Sequence, residues 1–191
     1  MAERNNDVAD QGRGKVLLDI ARGAIAEALG APPRPLPQDG WLQEQGATFV
    51  TLTQCGELRG CIGSLQPHRS LLQDVCHNAC AAAFDDPRFA PLRRDELDKT
   101  CCEVSLLSPV EPMAFRDEQD ALGQLRPGVD GVIFEFGLHR STFLPQVWEQ
   151  LPEPRQFMAH LKRKAGLPAD FWDRDVRLSR YTVAKWCEQQ P

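Results

Sequence analysis

A cysteine, an arginine and two glycines stand close together in the segment Leu58–Gly63, which reads LRGCIG. This segment follows residues 47–53, a run rich in β-branched and aromatic residues, and a short polar stretch containing Gly56 joins the two. Two strand-like runs joined by a few residues that include a glycine predict a β-hairpin. The residues that could do chemistry are therefore expected on a strand rather than on a loop.

The alternation of side chains along a strand predicts which residues of this segment share a face. We expect Leu58 and Ile62 to point into the core. Arg59 and Cys61 then lie side by side on the opposite face. A thiolate is a nucleophile, and a neighbouring guanidinium favours the thiolate form, so this pair predicts a catalytic Cys61.

The other residues of the segment extend this hypothesis. Arg59 would bind an anionic group or stabilise negative charge that develops in a reaction. Gly60 and Gly63 flank Cys61, and a glycine within a strand often marks a place where a ligand approaches the backbone. The alternative is a buried structural cysteine in a twisted hairpin whose two glycines provide curvature.

A carboxylate is expected near this site. Residues 101–107 predict a strand in which Cys102, Val104 and Leu106 form the apolar face, so Glu103 and Ser105 lie on the other face. If this strand neighbours the hairpin, Glu103 would act as a base or as an orienting carboxylate. The alternative is a solvated strand face. The sequence places no histidine beside Cys61, since His68 follows a proline turn.

Helices and strands mix along the chain without regular βαβ alternation, which predicts an α+β fold with a largely antiparallel sheet flanked by helices. Residues 1–14 are predicted to be a disordered tail. The predicted helices begin at Lys15, at Ser70, which can cap its helix, at Asp117 and at Pro154. The remaining predicted elements are a second hairpin over residues 132–144 and a last strand over residues 176–183.

Composition limits the class of protein. The chain has 191 residues, 42% of them hydrophobic, and a net charge of −5, which disfavours nucleic-acid binding. There is no apolar run of the length that a membrane span needs and no secretory signal, so we expect a cytoplasmic protein. An odd number of cysteines without Cys-x-x-Cys spacing predicts reduced thiols. Cys76, His77 and Cys80 are a poor metal set because His77 would point about 100° away from Cys76 on a helix, so neither a metal nor another cofactor is assigned.

Several segments together resemble the AMMECR-type domain, the family that supplies protein A of the AmmeMemoRadiSam group. The first is LRGCIG itself, and the resemblance covers roughly Lys15 to Trp186. The other blocks follow in family order, at residues 86–89 (DPRF), 103–109, 125–131, 142–148 and 160–166. The resemblance implies a single domain over residues 15–187, with a larger and a smaller lobe and a groove between them. It also implies Memo-like and radical-SAM proteins as partners, but no settled reaction.

These inferences combine into one predicted pocket. Arg59, Cys61 and Glu103 line it, Ser105 lies on the same face as Glu103, and Thr142 and Gln146 lie near its rim because they belong to a matching family block. The pocket would take a small molecule or a peptide, with Cys61 as a nucleophile. The alternative is a non-enzymatic adaptor or binding module that works with Memo-like and radical-SAM partners.

Overall fold

A computed structural model describes residues 2–189 of the chain, with side chains from Gly12 onward. The chain forms two compact units. Unit 1 contains the chain up to Leu107 and again from Ala184, and unit 2 is Ser108–Val183. Both units combine helices with antiparallel strands, which confirms the predicted α+β class. The predicted single domain and the predicted groove between two lobes stay predictions.

The elements follow one another along residues 2–189 in mixed order. The α-helices are α1 (Ala2–Ala28), α2 (Leu71–Phe84), α3 (Glu118–Gln124) and α4 (Pro154–Lys164). Short 3₁₀ helices cover Gly40–Gln43, Arg94–Lys99 and Pro145–Glu149. The strands are β1 (Gln45–Gly46), β2 (Thr48–Gln54), β3 (Glu57–Gly63), β4 (Arg69–Ser70), β5 (Thr100–Leu107), β6 (Glu111–Pro112), β7 (Gly131–Phe136), β8 (His139–Phe143), β9 (Arg177–Tyr181) and β10 (Val183–Cys187).

The main sheet of unit 1 has the strand order β10-β5-β2-β3. Strand β2 pairs antiparallel with both β3 and β5, which confirms the predicted first hairpin and places the predicted Glu103 strand next to it. Helices α1 and α2 cover one face, called the helix side below. Its core contains Val50, Leu52, Cys102 and Val104, all fully buried. The opposite face, called the outer face, carries Thr51, Cys61, Glu103, Ser105 and Lys185.

A β-bulge interrupts the hairpin. Leu52 pairs with Gly60 but the next residue, Thr53, pairs with Leu58, so Arg59 is an extra residue in β3. The bulge ends the simple alternation on which the prediction for this strand relied. Leu58 is 42% exposed, so the expectation that it points into the core is wrong.

The first helix is longer than predicted. It begins at Ala2 rather than at Lys15, so the backbone of the segment predicted as a disordered tail is helical from Ala2, while Met1 lies outside the described residues. The second helix agrees with the sequence. Ser70 caps α2 by accepting a hydrogen bond from the backbone N–H of Gln73.

Unit 2 has a second sheet of strand order β6-β9-β7-β8. Strands β7 and β8 form the predicted second hairpin. The core of this unit is aromatic, and the rings of Trp148 and Phe157 stack at a centroid distance of 3.8 Å. The predicted last strand is divided between two sheets, as β9 and β10. Thr182 separates them because its backbone bonds to Ser108 instead of to a sheet neighbour.

Candidate functional site

Cys61 lies on β3 at the edge of the main sheet, half-buried on the outer face. Thr51 stands opposite it on β2, and the Thr51 hydroxyl donates a hydrogen bond to Cys61 Sγ at 3.3 Å. Sulfur is a weak acceptor, so this bond orients the thiol without withdrawing it from other partners. The thiol therefore stays available to a ligand that approaches the outer face.

Glu103 continues the same row of residues across the sheet. It stands opposite Thr51 on β5, and its carboxylate lies 3.0 Å from the ammonium of Lys185 on β10. Neighbouring strands are about 4.8 Å apart, so Cys61 and Glu103 are separated by about 10 Å with Thr51 between them. Cys61 and Glu103 therefore share a face, as predicted. They are too far apart for direct proton transfer, which needs a separation of about 3 Å. Ser105 follows on the same strand, opposite Phe49.

The backbone of Cys61 is held by two side chains that come after α2. Its N–H donates to Asp86 Oδ2 at 2.9 Å, and its carbonyl accepts from Arg88 Nη2 at 3.2 Å. Asp86 is buried and receives two more bonds from the Arg88 guanidinium, at 2.9 and 2.7 Å. The guanidinium, followed by the N–H groups of Cys61 and Arg88, holds the pKa of the Asp86 carboxyl well below its usual range. Sequence reasoning identified residues 86–89 as a family block but missed this contact with Cys61.

Arg59 lies elsewhere than predicted. Its guanidinium bonds to Glu96 at 3.2 and 3.3 Å, and Gln54 contacts the same carboxylate. The bond from Arg59 is the main reason that the pKa of Glu96 falls to about 2. Gln54 belongs to the helix-side set of β2, so the expectation that Arg59 lies beside Cys61 on one face is wrong, because the bulge turns its side chain. Anion binding by Arg59 stays a prediction, and the guanidinium is already paired.

The two glycines beside Cys61 are closely packed. A Cβ added at Gly60 would lie 2.0 Å from the carbonyl oxygen of Ala82 in α2. A Cβ added at Gly63 would lie 2.2 Å from the ring of Phe49. Packing within unit 1 therefore explains why both positions are glycine, and their contact with a ligand stays a prediction.

A buried polar cluster lies near the other end of the hairpin, and sequence reasoning missed it. Asp74 accepts bonds from the N–H and hydroxyl of Thr48, both at 2.8 Å, from Ser64 at 2.7 Å and from Asn78 at 2.9 Å. Arg69 lies 3.4 Å from its second oxygen. Asp74 and Asn78 stand four residues apart on the buried face of α2, and this spacing of polar residues was the available signal.

Two predicted rim residues belong to unit 2. The Thr142 hydroxyl lies 3.1 Å from the Tyr181 hydroxyl, and Gln146 is exposed in the 3₁₀ helix that follows β8. The single pocket that was predicted to join them to Cys61 therefore involves both units, and it stays a prediction.

Among the residues that the structure describes, no three His, Cys, Asp or Glu side chains converge in a way that could hold a metal ion. In the same part of the chain, no helix combines the length and the apolar character that crossing a bilayer requires. Cytoplasmic localisation stays a prediction.

Comparison with known proteins identifies relatives over nearly the whole chain. The AMMECR1 family model matches residues 18–186. A protein of Methanothermobacter thermautotrophicus is 40% identical, over 88% of this chain and 90% of its own length. One from Thermofilum pendens is 37% identical, over 93% and 91%. A crystal structure of an uncharacterized protein from Pyrococcus horikoshii superposes with a TM-score of 0.77 at 34% identity, over 93% of this chain and 92% of that chain.

Proposed function

We propose that this chain, which belongs to the AMMECR1 family, binds a small molecule on the outer face of its main sheet, with Cys61 as a contact residue. The observation that carries the proposal is the row formed by Cys61, Thr51, Glu103 and Lys185 across four adjacent strands. A thiol, a hydroxyl and a carboxylate–ammonium pair thus share one half-exposed sheet face. Such a set offers both donors and acceptors to a polar ligand.

The strand edge at Cys61 favours a small molecule over an added peptide strand. A peptide that extends a sheet must bond to the free N–H and C=O groups of the edge strand. At Cys61 these groups are already bonded to Asp86 and Arg88. A ligand would therefore meet side chains on the outer face rather than the backbone at the edge.

The proposed role of Cys61 is contact rather than nucleophilic attack. An activated thiol needs a base within hydrogen-bond distance or a cation that lowers its pKa. Within the described part of the chain, Thr51, a neutral hydroxyl, donates a hydrogen bond to Sγ. The Arg88 guanidinium also interacts with the Cys61 side chain, but it is bonded to the Asp86 carboxylate at 2.9 and 2.7 Å, which offsets its charge. Glu103 is paired with Lys185, so we propose that it binds the ligand rather than moving a proton.

The adaptor hypothesis uses the same surface in a different way. The family resemblance supports a proposal that Memo-like and radical-SAM proteins are partners, with the outer face as a contact surface. In that case the polar row would meet a protein side chain instead of a free metabolite.

Relative alkylation rates separate contact from catalysis. Cys55 is exposed in the turn of the hairpin and serves as an ordinary reference thiol within the same molecule. At pH 7, we expect iodoacetamide to modify half-buried Cys61 more slowly than Cys55, as measured by peptide mass spectrometry. A Cys61 that reacts faster than Cys55 would contradict the contact role and identify a nucleophile.

Ligand binding itself is tested by a fragment screen observed by NMR. We expect hits that shift the amide signals of Thr51, Cys61 and Glu103, and we expect these shifts to disappear in Cys61→Ser. Cys55→Ser is the matched control and should retain them. Hits that all map away from the outer face would overturn the proposal.

A further inference from the structure

A separate cavity of about 650 Å³ lies on the helix side of unit 1, between α1, α2 and the proline-rich connector. This volume is in the range of small-molecule pockets, roughly 300–1,000 Å³. It is distinct from the proposed Cys61 site, which uses the opposite face of the sheet. Its lining residues are Asp19, Ile20, Gly23, Ala24, Glu27, Ala28, Arg34, Pro35, Leu36, Pro37, Cys76 and Cys80.

The shape of the cavity follows from the small residues of one helix and the stiffness of the connector. On α1, the groove is lined by Gly23, Ala24 and Ala28, whose small side chains leave space beside the helix. Opposite them, the prolines of residues 31–39 hold the connector extended, so that it cannot collapse onto the helix. Leu36 remains 48% exposed, which is a large apolar surface without cover in unit 1. The cavity is thus a preformed, mainly apolar groove.

The charges around this groove are predominantly negative. Asp19 and Glu27 both line it, against the single guanidinium of Arg34. Both carboxylates are exposed to solvent, and among residues 12–189 neither makes an ion pair or a hydrogen bond. Burial is the main cause that raises the pKa values of the Cys76 and Cys80 thiols, followed by Cys80 and then Glu27 for Cys76, and by Asp85 and then Glu27 for Cys80. Two exposed carboxylates at the edge of an apolar surface are complementary to a positively charged group on an apolar body.

We infer that this groove binds a small organic ammonium compound, whose apolar body lies against Leu36 and the small residues of α1 while its charge lies near Asp19 and Glu27. The site is independent of the function proposed for Cys61. Neutral thiols at Cys76 and Cys80 would contact the apolar body.

Three probes with the same body and different charge test this inference. They are 4-phenylbutylammonium, 4-phenylbutan-1-ol and 4-phenylbutanoate, each titrated by calorimetry into the full chain. We expect the ammonium to bind about tenfold or more tightly than the alcohol, as one favourable charge interaction of about 1.4 kcal/mol implies, and the carboxylate to bind weakest. Equal affinities for the three probes would overturn the inference.

The position of the ligand is read from thiols already present in the groove. The ammonium probe should slow alkylation of Cys76 and Cys80 and leave exposed Cys55 unchanged. Glu27→Gln should weaken binding of the ammonium by roughly three- to tenfold without affecting the alcohol, which is typical of one partly exposed charge. Glu57→Gln, an exposed carboxylate on β3, is the matched control and should change neither. Binding without protection of Cys76 and Cys80, or an equal effect of both variants, would refute the site.

Discussion

Two polar clusters lie on the same hairpin of unit 1 and differ in how completely their groups are bonded. Around Asp74, a buried carboxylate is surrounded by donors from Thr48, Ser64 and Asn78, and Arg69 completes the cluster. Around Cys61, the thiol is half-buried, receives a weak bond from Thr51 and interacts with the partly exposed Arg88 guanidinium. The first cluster satisfies its members within the protein, whereas the second leaves donors and acceptors to solvent or to a ligand.

This difference distinguishes stability from function. A buried carboxylate is tolerated only when the surrounding donors compensate for its lost hydration, so the Asp74 cluster is part of the folded structure. A partly exposed thiol contributes little to folding. The backbone of Cys61 is nevertheless bonded to Asp86 and Arg88, so the thiol has a fixed position on an open face.

The largest effect is expected from Asp74→Ala. Removing the carboxylate leaves the N–H and hydroxyl of buried Thr48 without their acceptor. It also removes the bonds that Ser64 and Asn78 donate to it and leaves Arg69 without its partner. We expect a loss of about 3–5 kcal/mol in the free energy of unfolding, measured with urea. Asp95→Ala removes an exposed carboxylate and should cost less than about 1 kcal/mol. Equal costs would contradict the assignment of the Asp74 cluster to folding.

Gly60→Ala should have the next largest effect. The new methyl group would overlap the carbonyl oxygen of Ala82, and the two backbones would have to separate. We expect a cost of about 2–3 kcal/mol in urea unfolding. Gly123→Ala in α3 meets no atom within 4 Å and should be neutral or slightly stabilising. If Gly60→Ala left the free energy of unfolding unchanged, packing against Ala82 would not explain this glycine, and contact with a ligand would be the better explanation.

The pairing of Asp86 predicts a dependence of stability on pH. Its pKa is lower in the folded protein than in the unfolded chain, mainly because of the Arg88 guanidinium. The carboxylate therefore stabilises the fold fully above the unfolded pKa of about 3.9, and this contribution is lost as pH falls through the folded value. In urea unfolding between pH 7 and pH 3, wild type should exceed Asp86→Asn by a constant margin above about pH 5 that narrows below about pH 4. A margin independent of pH would contradict the ionised role of Asp86.

The smallest effect on stability is expected from Cys61→Ala. The change removes one sulfur atom from a half-buried position, so we expect a cost below about 1 kcal/mol together with loss of ligand binding. A cost of roughly 1 kcal/mol or more with unchanged binding would place Cys61 in the core. In that outcome, Cys61 would no longer be a candidate ligand contact on the outer face. Urea unfolding and the NMR screen distinguish the two outcomes.

Sequence reasoning predicted the local elements of this region well. Hydrophobic alternation and a capping serine were sufficient for the first hairpin and for α2, because both signals act over a few residues. The bulge at Arg59 could not be predicted, since it depends on which residues of β2 and β3 pair. The contacts of Asp86 with Cys61 and of Asp74 with Thr48 connect residues about 25 positions apart, and local patterns do not contain such pairings. The ordinary alternation of β5 did predict correctly that Glu103 and Ser105 share a face.

The most direct test of the outer face as a ligand site is native mass spectrometry after incubation with a small-molecule extract of the source cells. Wild-type protein and Cys55→Ser should each retain the same added mass, because Cys55 lies in the turn and not on the outer face. Cys61→Ala should lose that mass while its unfolding curve stays within about 1 kcal/mol of wild type. Retention of the same mass by Cys61→Ala at wild-type occupancy would contradict the central claim that Cys61 contacts the ligand.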